Sequence, residues 1–226
     1  MATPTAAAFS ITAADPVIAA PTGTQYIHIV GIMFDNNETA VTNYTKVTIQ
    51  DGSGGTQLYG GSTSSAFLPG KGGFFDLQMS YDHPYWDLSA DTALYITPSS
   101  SRRISGTVWY YVDSTAVRAV EHDTFELTAS GSIVTAVASE TIKVVAMSVH
   151  NNDLVDDTVF HLLDGSGGTD LYGGATGAFY LLNNGGVRQL GMSYDTPYFE
   201  LTTNTALYGV PTSGAQVGGT VWYIQS

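Results

Sequence analysis

The chain contains no cysteine, which excludes a disulfide framework and any thiolate metal site. Basic residues are nearly as scarce, with seven Lys and Arg against twenty Asp and Glu and a formal net charge of -13. Those seven, Lys46, Lys71, Arg102, Arg103, Arg118, Lys143 and Arg188, are spread along the sequence without a cluster. A surface of this sign repels phosphate backbones and anionic lipid, so neither nucleic acid nor membrane is an expected partner. No apolar run reaches the length of a bilayer span, and no apolar stripe of convincing length recurs at helical spacing. The opening "MATPTAAAFSITAADPV" lacks the basic start and sustained apolar stretch of a secretory leader, so synthesis in a cytoplasm is expected. What is present is 43% hydrophobic residues and 25 glycines in 226 residues, enough for one substantial core or two small ones.

The glycines are not spread evenly. "DGSGGTQLYGG" from Asp51 to Gly61 returns as "DGSGGTDLYGG" from Asp164 to Gly174. Sliding the chain by 113 positions aligns Asp51 to Tyr110 with Asp164 to Tyr223 without a gap, and 33 of those 60 positions are identical, too many for chance. Shared words include "MSYD" at Met79 and Met192, "PY" at Pro84 and Pro197, and "GTVWY" at Gly106 and Gly219. Upstream, "YIHIVGIMFDNN" from Tyr26 lies over "TIKVVAMSVHNN" from Thr141, with the offset changed by two across a loop near Asn43 and Tyr44. A repeat of roughly 100 residues is the size of a small β domain and too long for a solenoid unit. The expected layout is an extended N-terminal arm over residues 1–24, a first β-sandwich over 25–113, a connector over 114–130 and a second β-sandwich over 131–226.

Both copies read as strand and turn. In the first strand Ile27, Ile29 and Met33 form an inward set and Tyr26, His28 and Val30 an outward one. Val47 and Ile49, matched by Phe160 and Leu162, alternate with Lys46, Thr48 and Gln50. The "GTVWY" strand is apolar on both faces, as in a strand covered on two sides, with Trp109 and Trp222 as core anchors. Turn residues fall every 8 to 12 positions. The fold class is therefore all-β, two tandem antiparallel sandwiches, with a jelly roll favoured over an immunoglobulin-like Greek key.

The glycine phrase is neither a P-loop, since no Gly-Lys-Ser/Thr closes it, nor a calcium loop, since only Asp51 and Asp164 offer suitable oxygens. It reads as a hairpin connector whose glycines take positive φ. Chemistry elsewhere is thin. Asp82/Asp195 and Asp87/Glu200 flank "PY" and could form an acid/base pair or a sugar site with Tyr85, Trp86, Tyr198 and Phe199 as stacking platforms. The alternative is a Pro-stiffened corner whose acids cap amides and whose aromatics plug the sandwich. His83 becomes Thr196, no nucleophile elbow is present, and the five histidines lack metal-ligand spacing. Arg102 and Arg103, replaced by Ala215 and Gln216, fit a solvated turn or a contact to an acidic neighbour. "NET" at Asn37 and "NYT" at Asn43 match the glycosylation pattern but carry little weight without a leader. No catalytic residue, metal site or cofactor is expected, and the chain reads as a surface-presenting protein, not an enzyme.

In order, "VTIQDGSGGTQLYGG", "GGFFDL", "PYWDLSADTALYI" and "ISGTVWYYV" resemble small virion β proteins of tailed bacteriophages, over about 60 residues of each copy. The resemblance implies a jelly-roll module on the capsid surface, a decoration or cement protein forming a homotrimer with itself and binding the major capsid protein. It implies alternatively a tail-fibre or glycan-binding module, or a double jelly-roll major capsid protein. Tyr85, Trp86, Tyr198, Phe199, Arg102 and Arg103 are the expected interaction surface. This chain departs from the family pattern by being doubled.

Overall fold

The computed structural model describes residues 3–40, 42–61, 65–80, 83–115, 120–172, 178–212 and 214–226; Met1, Asp82, Arg118 and the Gly173–Gly174 pair singled out above lie outside them. The described residues form strands and turns, with no helix among them. The chain divides into two compact units, the first taking Met1–Gly60 and Ser65–Ala119 and the second built on Val120–Ser226.

In the first unit the strands are β1 (Thr5–Ile11), β2 (Asp15–Ile18), β3 (Tyr26–Asn36), β4 (Thr45–Asp51), β5 (Thr56–Gln57), β6 (Ala66–Leu68), β7 (Phe74–Leu77), β8 (Trp86–Asp87), β9 (Leu94–Pro98) and β10 (Ile104–Asp113). One sheet runs β1-β10-β3-β7 with β8 also on β3, and the other runs β2-β9-β4-β5 with β6 also on β4. Every pairing is antiparallel. The first two strands enter opposite sheets, the last two do likewise, and each last strand pairs with a first one, which is the double-Greek-key order of a jelly roll. Phe34 stacks on Phe75 at 4.9 Å between ring centroids within the core, and Tyr59 meets Phe75 edge-on at 4.7 Å.

The second unit repeats this strand for strand: β11 (Glu121–Leu127), β12 (Gly131–Val134), β13 (Ile142–Asn151), β14 (Thr158–Asp164), β15 (Thr169–Asp170), β16 (Phe179–Leu181), β17 (Val187–Leu190), β18 (Phe199–Glu200), β19 (Leu207–Pro211) and β20 (Val217–Gln225). Its sheets run β11-β20-β13-β17 and β12-β19-β14-β15, with β18 on β13 and β16 on β14. Phe125, Val144, Met147, Val149 and Val221 from the first sheet meet Ile133, Phe160, Leu162, Phe179 and Leu207 from the second in one buried cluster. Each such side chain contributes about 1.5–3 kcal/mol by leaving water.

The repeat is thus larger than the expected one. Residues 5–18 are not an extended arm: β1 pairs with β10 over Thr5–Ile11, and β2 pairs with β9. Within the expected connector 114–130, residues 121–127 are not connector either, since they form β11, which pairs with β20. The pattern was hard to see because both first strands are sheet edges with mixed, half-covered side chains. Yet "FSITA" from Phe9 and "FELTA" from Phe125 stand 116 positions apart and share the same register, Phe9 opposite Gly106 and Phe125 opposite Gly219. Those glycines are required by space, because a Cβ on Gly219 would strike the Ser148 carbonyl oxygen and the Phe125 ring.

Two further expectations change in the first strand. A bulge at Val30, matched at Val145, shifts the register between Trp109 and Tyr110 and reverses the alternation beyond it. Ile32 and Phe34 therefore face inward and Met33 is exposed, against the inward position expected for it. His28 was expected on the surface and is fully buried. Of the two expected core anchors, Trp222 is fully buried, but Trp109 is only half-buried. Coverage on both faces holds for Val217–Tyr223 and fails for Ile104–Asp113, where Ser105, Thr107 and Tyr110 are partly open.

Candidate functional site

The glycine phrase is a tight connector with a carboxylate latch. Asp51 ends β4 and pairs with Thr56, and Asp164 pairs with Thr169, so each "GSGG" spans a four-residue hairpin. Gly52 and Gly54, like Gly165 and Gly167, sit at φ between 65° and 86°, a region closed to side chains without strain. The third glycine of each phrase is fixed by space, since a Cβ on Gly55 or Gly168 would overlap the Asp51 or Asp164 carbonyl oxygen.

The aspartate side chain reaches across the end of the sheet. Asp51 accepts the Ser89 amide at 2.8 Å and the Ser89 hydroxyl at 2.6 Å, with the Thr92 hydroxyl on its other oxygen. Asp164 accepts the Thr202 amide at 3.0 Å, the Thr202 hydroxyl at 2.6 Å and the Thr205 hydroxyl. Partial burial pushes the Asp164 carboxyl up, but the hydrogen bonds from Thr202 and Thr205 outweigh it and hold the group below the usual carboxylate range. With its oxygens taken by these donors, the carboxylate ties β4 to the segment before β9, and β14 to the segment before β19.

The "MSYD…PY" corner has an equally structural origin. The bulge at Val30 and Val145 frees a carbonyl that accepts the amide of Ser80 at 2.7 Å in one copy and of Ser193 at 2.8 Å in the other. Next along, the amides of Tyr85 and Tyr198 donate to Ile29 and Val144 at 2.7 and 2.9 Å. The corner is therefore hooked onto a bulged strand, and this fixes why both copies keep the words.

Asp87 and Glu200 each face a nitrogen-bearing side chain of their own unit. Asp87 lies opposite His28 in the β8–β3 register and Glu200 opposite Lys143 in the β18–β13 register. The Asp87 carboxylate is 2.6 Å from His28 Nδ1, and Glu200 is 3.8 Å from the Lys143 ammonium. A nitrogen-bearing side chain and a carboxylate face each other at the same place in both copies, with the chemical identity of each changed. His28 also stacks on Tyr111 at 4.5 Å between ring centroids. Burial, then the charges of Asp87 and Asp113, push the Tyr111 hydroxyl above its ordinary range. Asp195 is exposed on its turn, and its counterpart Asp82 lies outside the described residues.

The expected interaction surface divides by copy. Tyr85 and Trp86 are buried, Tyr85 donating its hydroxyl to the Gln78 carbonyl at 2.9 Å, so neither ring presents a stacking face. In the second copy Tyr198 is 43% exposed and Phe199 half-buried. Arg102 lies 3.8 Å from Glu38, which also accepts the Arg103 amide at 3.3 Å, so this pair closes a loop of its own unit. Arg103 is exposed. Among the described residues no three His, Asp or Glu side chains converge as metal ligands would.

One structural pair escaped the sequence reading. Asn36 and Asn151 are fully buried at the end of β3 and β13. Asn36 donates to the Asn43 and Leu68 carbonyls at 2.8 and 3.3 Å, and Asn151 donates to Asp156 and Leu181 at the same distances. Each also accepts an amide two residues on, from Glu38 or Asp153. The duplicated "NN" ending the aligned words at Asn36 and Asn151 was the available signal. No family model matches the chain, and no curated protein matches it at a significant level.

Proposed function

We propose that the chain is a structural protein of a virion surface, a decoration or cement protein in which two linked jelly rolls dock on a capsid shell as homotrimers. The observation that carries this reading is the fate of the duplicated polar residues. Asp51/Asp164, Asn36/Asn151 and the His28–Asp87 and Lys143–Glu200 pairs are all spent on holding turns and strands. What the copies keep in common is architecture, down to the role of these polar residues, while core side chains such as Val47/Phe160 and Phe34/Val149 are exchanged within it. Two linked domains raise the effective concentration of the second contact once the first is made, so a protein repeated around a shell needs no single tight site. The strong negative charge keeps the free protein dispersed and favours basic surfaces on its partner.

The test is to add purified chain to capsids stripped of it and to image the particles. Stoichiometric density at local threefold positions supports the proposal, and no binding at saturating concentration refutes it. A second reading is favoured by one observation: both units have the full jelly-roll strand order, as the two domains of a double jelly-roll major capsid protein would. Closed shells assembled from the purified chain alone would establish that reading in its place.

A further inference from the structure

The two copies part at one corner, where β4 or β14 begins. In the first unit this corner is closed. Tyr44 stacks on Phe67 with centroids 5.2 Å apart, leaving Phe67 buried, and Glu38 ties the loop to Arg102 and to the Arg103 and Lys71 backbone. The strand registers place Phe67 opposite Lys46 and Tyr180 opposite Val159, so Tyr180 is the counterpart of Phe67 and Asp157 the counterpart of Tyr44. In the second unit the covering ring is thus gone and the loop is two residues shorter. Leu154, Val155, Tyr180 and Leu182 stand 42%, 76%, 51% and 57% exposed.

These side chains are held, not frayed. The Asn183 amide nitrogens donate to the Asp157 carboxylate and, from the side chain, to the Val155 carbonyl, both at 2.7 Å. Asn184 donates to the Leu154 carbonyl at 3.2 Å, and the Tyr180 hydroxyl donates to Asp157 at 2.8 Å. Asp153 caps the loop by accepting the Val155 and Asp156 amides at 2.8 and 3.0 Å. The loop carrying Leu154 and Val155 is therefore stitched to the strand end carrying Tyr180 and Leu182, and the four apolar groups form one patch. Backbone and hydroxyl hydrogen bonds hold the Asp153 and Asp157 carboxyls below their usual range, so the rim stays negative well into acid.

We infer that this corner of the second unit is a docking surface for a protein that offers an apolar pocket edged by lysine or arginine. The inference rests on the surface-docking reading above for its choice of a protein partner. Three considerations select that occupant. The exposed side chains are mostly aliphatic, which suits a packed protein pocket, whereas a sugar face would be met by aromatic rings. The rim residues Asp153, Asp156 and Asp157 are acidic, so the complementary edge is basic. A second copy of this chain, at net charge -13, is a poor source of that edge.

Two experiments on the full chain test this. The first compares the wild type with Val155→Asp/Leu182→Asp for binding to the stripped capsids; both positions are exposed, and unchanged near-ultraviolet circular dichroism verifies the fold. Loss of about tenfold or more in affinity, with Val155→Ile binding as wild type, is the expected result. The second needs no capsid: amide shifts are followed as a short peptide of alternating leucine and lysine is titrated in, beside a leucine–glutamate control. Shifts confined to residues 153–157 and 180–184, with the lysine peptide alone, are expected. Equal binding of the double variant, or shifts elsewhere or none, overturns the docking surface while leaving capsid binding intact as a finding. Mapped shifts without capsid binding by the wild type overturn the cement reading and keep the basic-apolar specificity. Saturable binding to a glycan array abolished by Tyr180→Ala overturns the protein partner in favour of a sugar.

Discussion

The Asp164 latch makes part of the molecule's stability sensitive to acid. Asp164 has a folded pKa below its unfolded value of about 3.9. Its contribution is therefore fully present above that value and is lost as pH falls through the folded pKa. Asp164→Ala is expected to lower stability by about 1–3 kcal/mol at pH 7, since it removes an acceptor from the Thr202 amide and two hydroxyls. In urea unfolding the gap between wild type and variant should close below about pH 4; a gap of constant size would mean that the latch acts by shape alone. The two carboxylate contacts at the "PY" corner should separate in the same assay. Asp87→Ala leaves a buried imidazole without its partner and should cost about 1–3 kcal/mol, whereas Glu200→Ala breaks an exposed pair and should stay within about 1 kcal/mol.

At the scale of elements, the first strands carry more than the mixed composition of "TAAAFSI" suggests. β1 covers the outer side of β10 along seven residues, and the four-residue β2 covers that of β9. Deleting residues 2–18 should accordingly lower the melting temperature and expose the edges of β10 and β9 as templates for aggregation, seen as a concentration-dependent rise in light scattering. A truncated protein that melts as wild type and scatters no more light would return this segment to the status of a loose arm. Strand order was legible in outline because each interior strand alternates and each turn is spelled out. Edge strands were not, since an edge covered on one side needs little hydrophobic contrast.

For the whole molecule, duplication means two cores, each closed by its own pair of sheets. Phe160 is fully buried in the second. Phe160→Ala should cost about 3–5 kcal/mol, and the loss of hydrogen-exchange protection should be confined to residues 120–226. Equal loss over residues 3–115 would show that the units unfold as one. The absence of cysteine leaves such folding without a redox requirement. The net charge of -13 adds a self-repulsion that salt relieves, in the direction of higher stability.

From sequence alone came the duplication, the all-β class, the two sandwiches and the turn role of "DGSGG", because these follow from periodicity and from what glycine and aspartate do within a few residues of themselves. Tertiary structure decided the rest: that His28 is buried against Asp87 and Tyr111, that Met33 turns outward after the bulge at Val30, that Tyr85 and Trp86 are shut in while Leu154 and Val155 stand open. Each of these depends on partners about 60 or more residues away, or on a ring that one copy has and the other lacks. No local pattern records what a distant segment will cover.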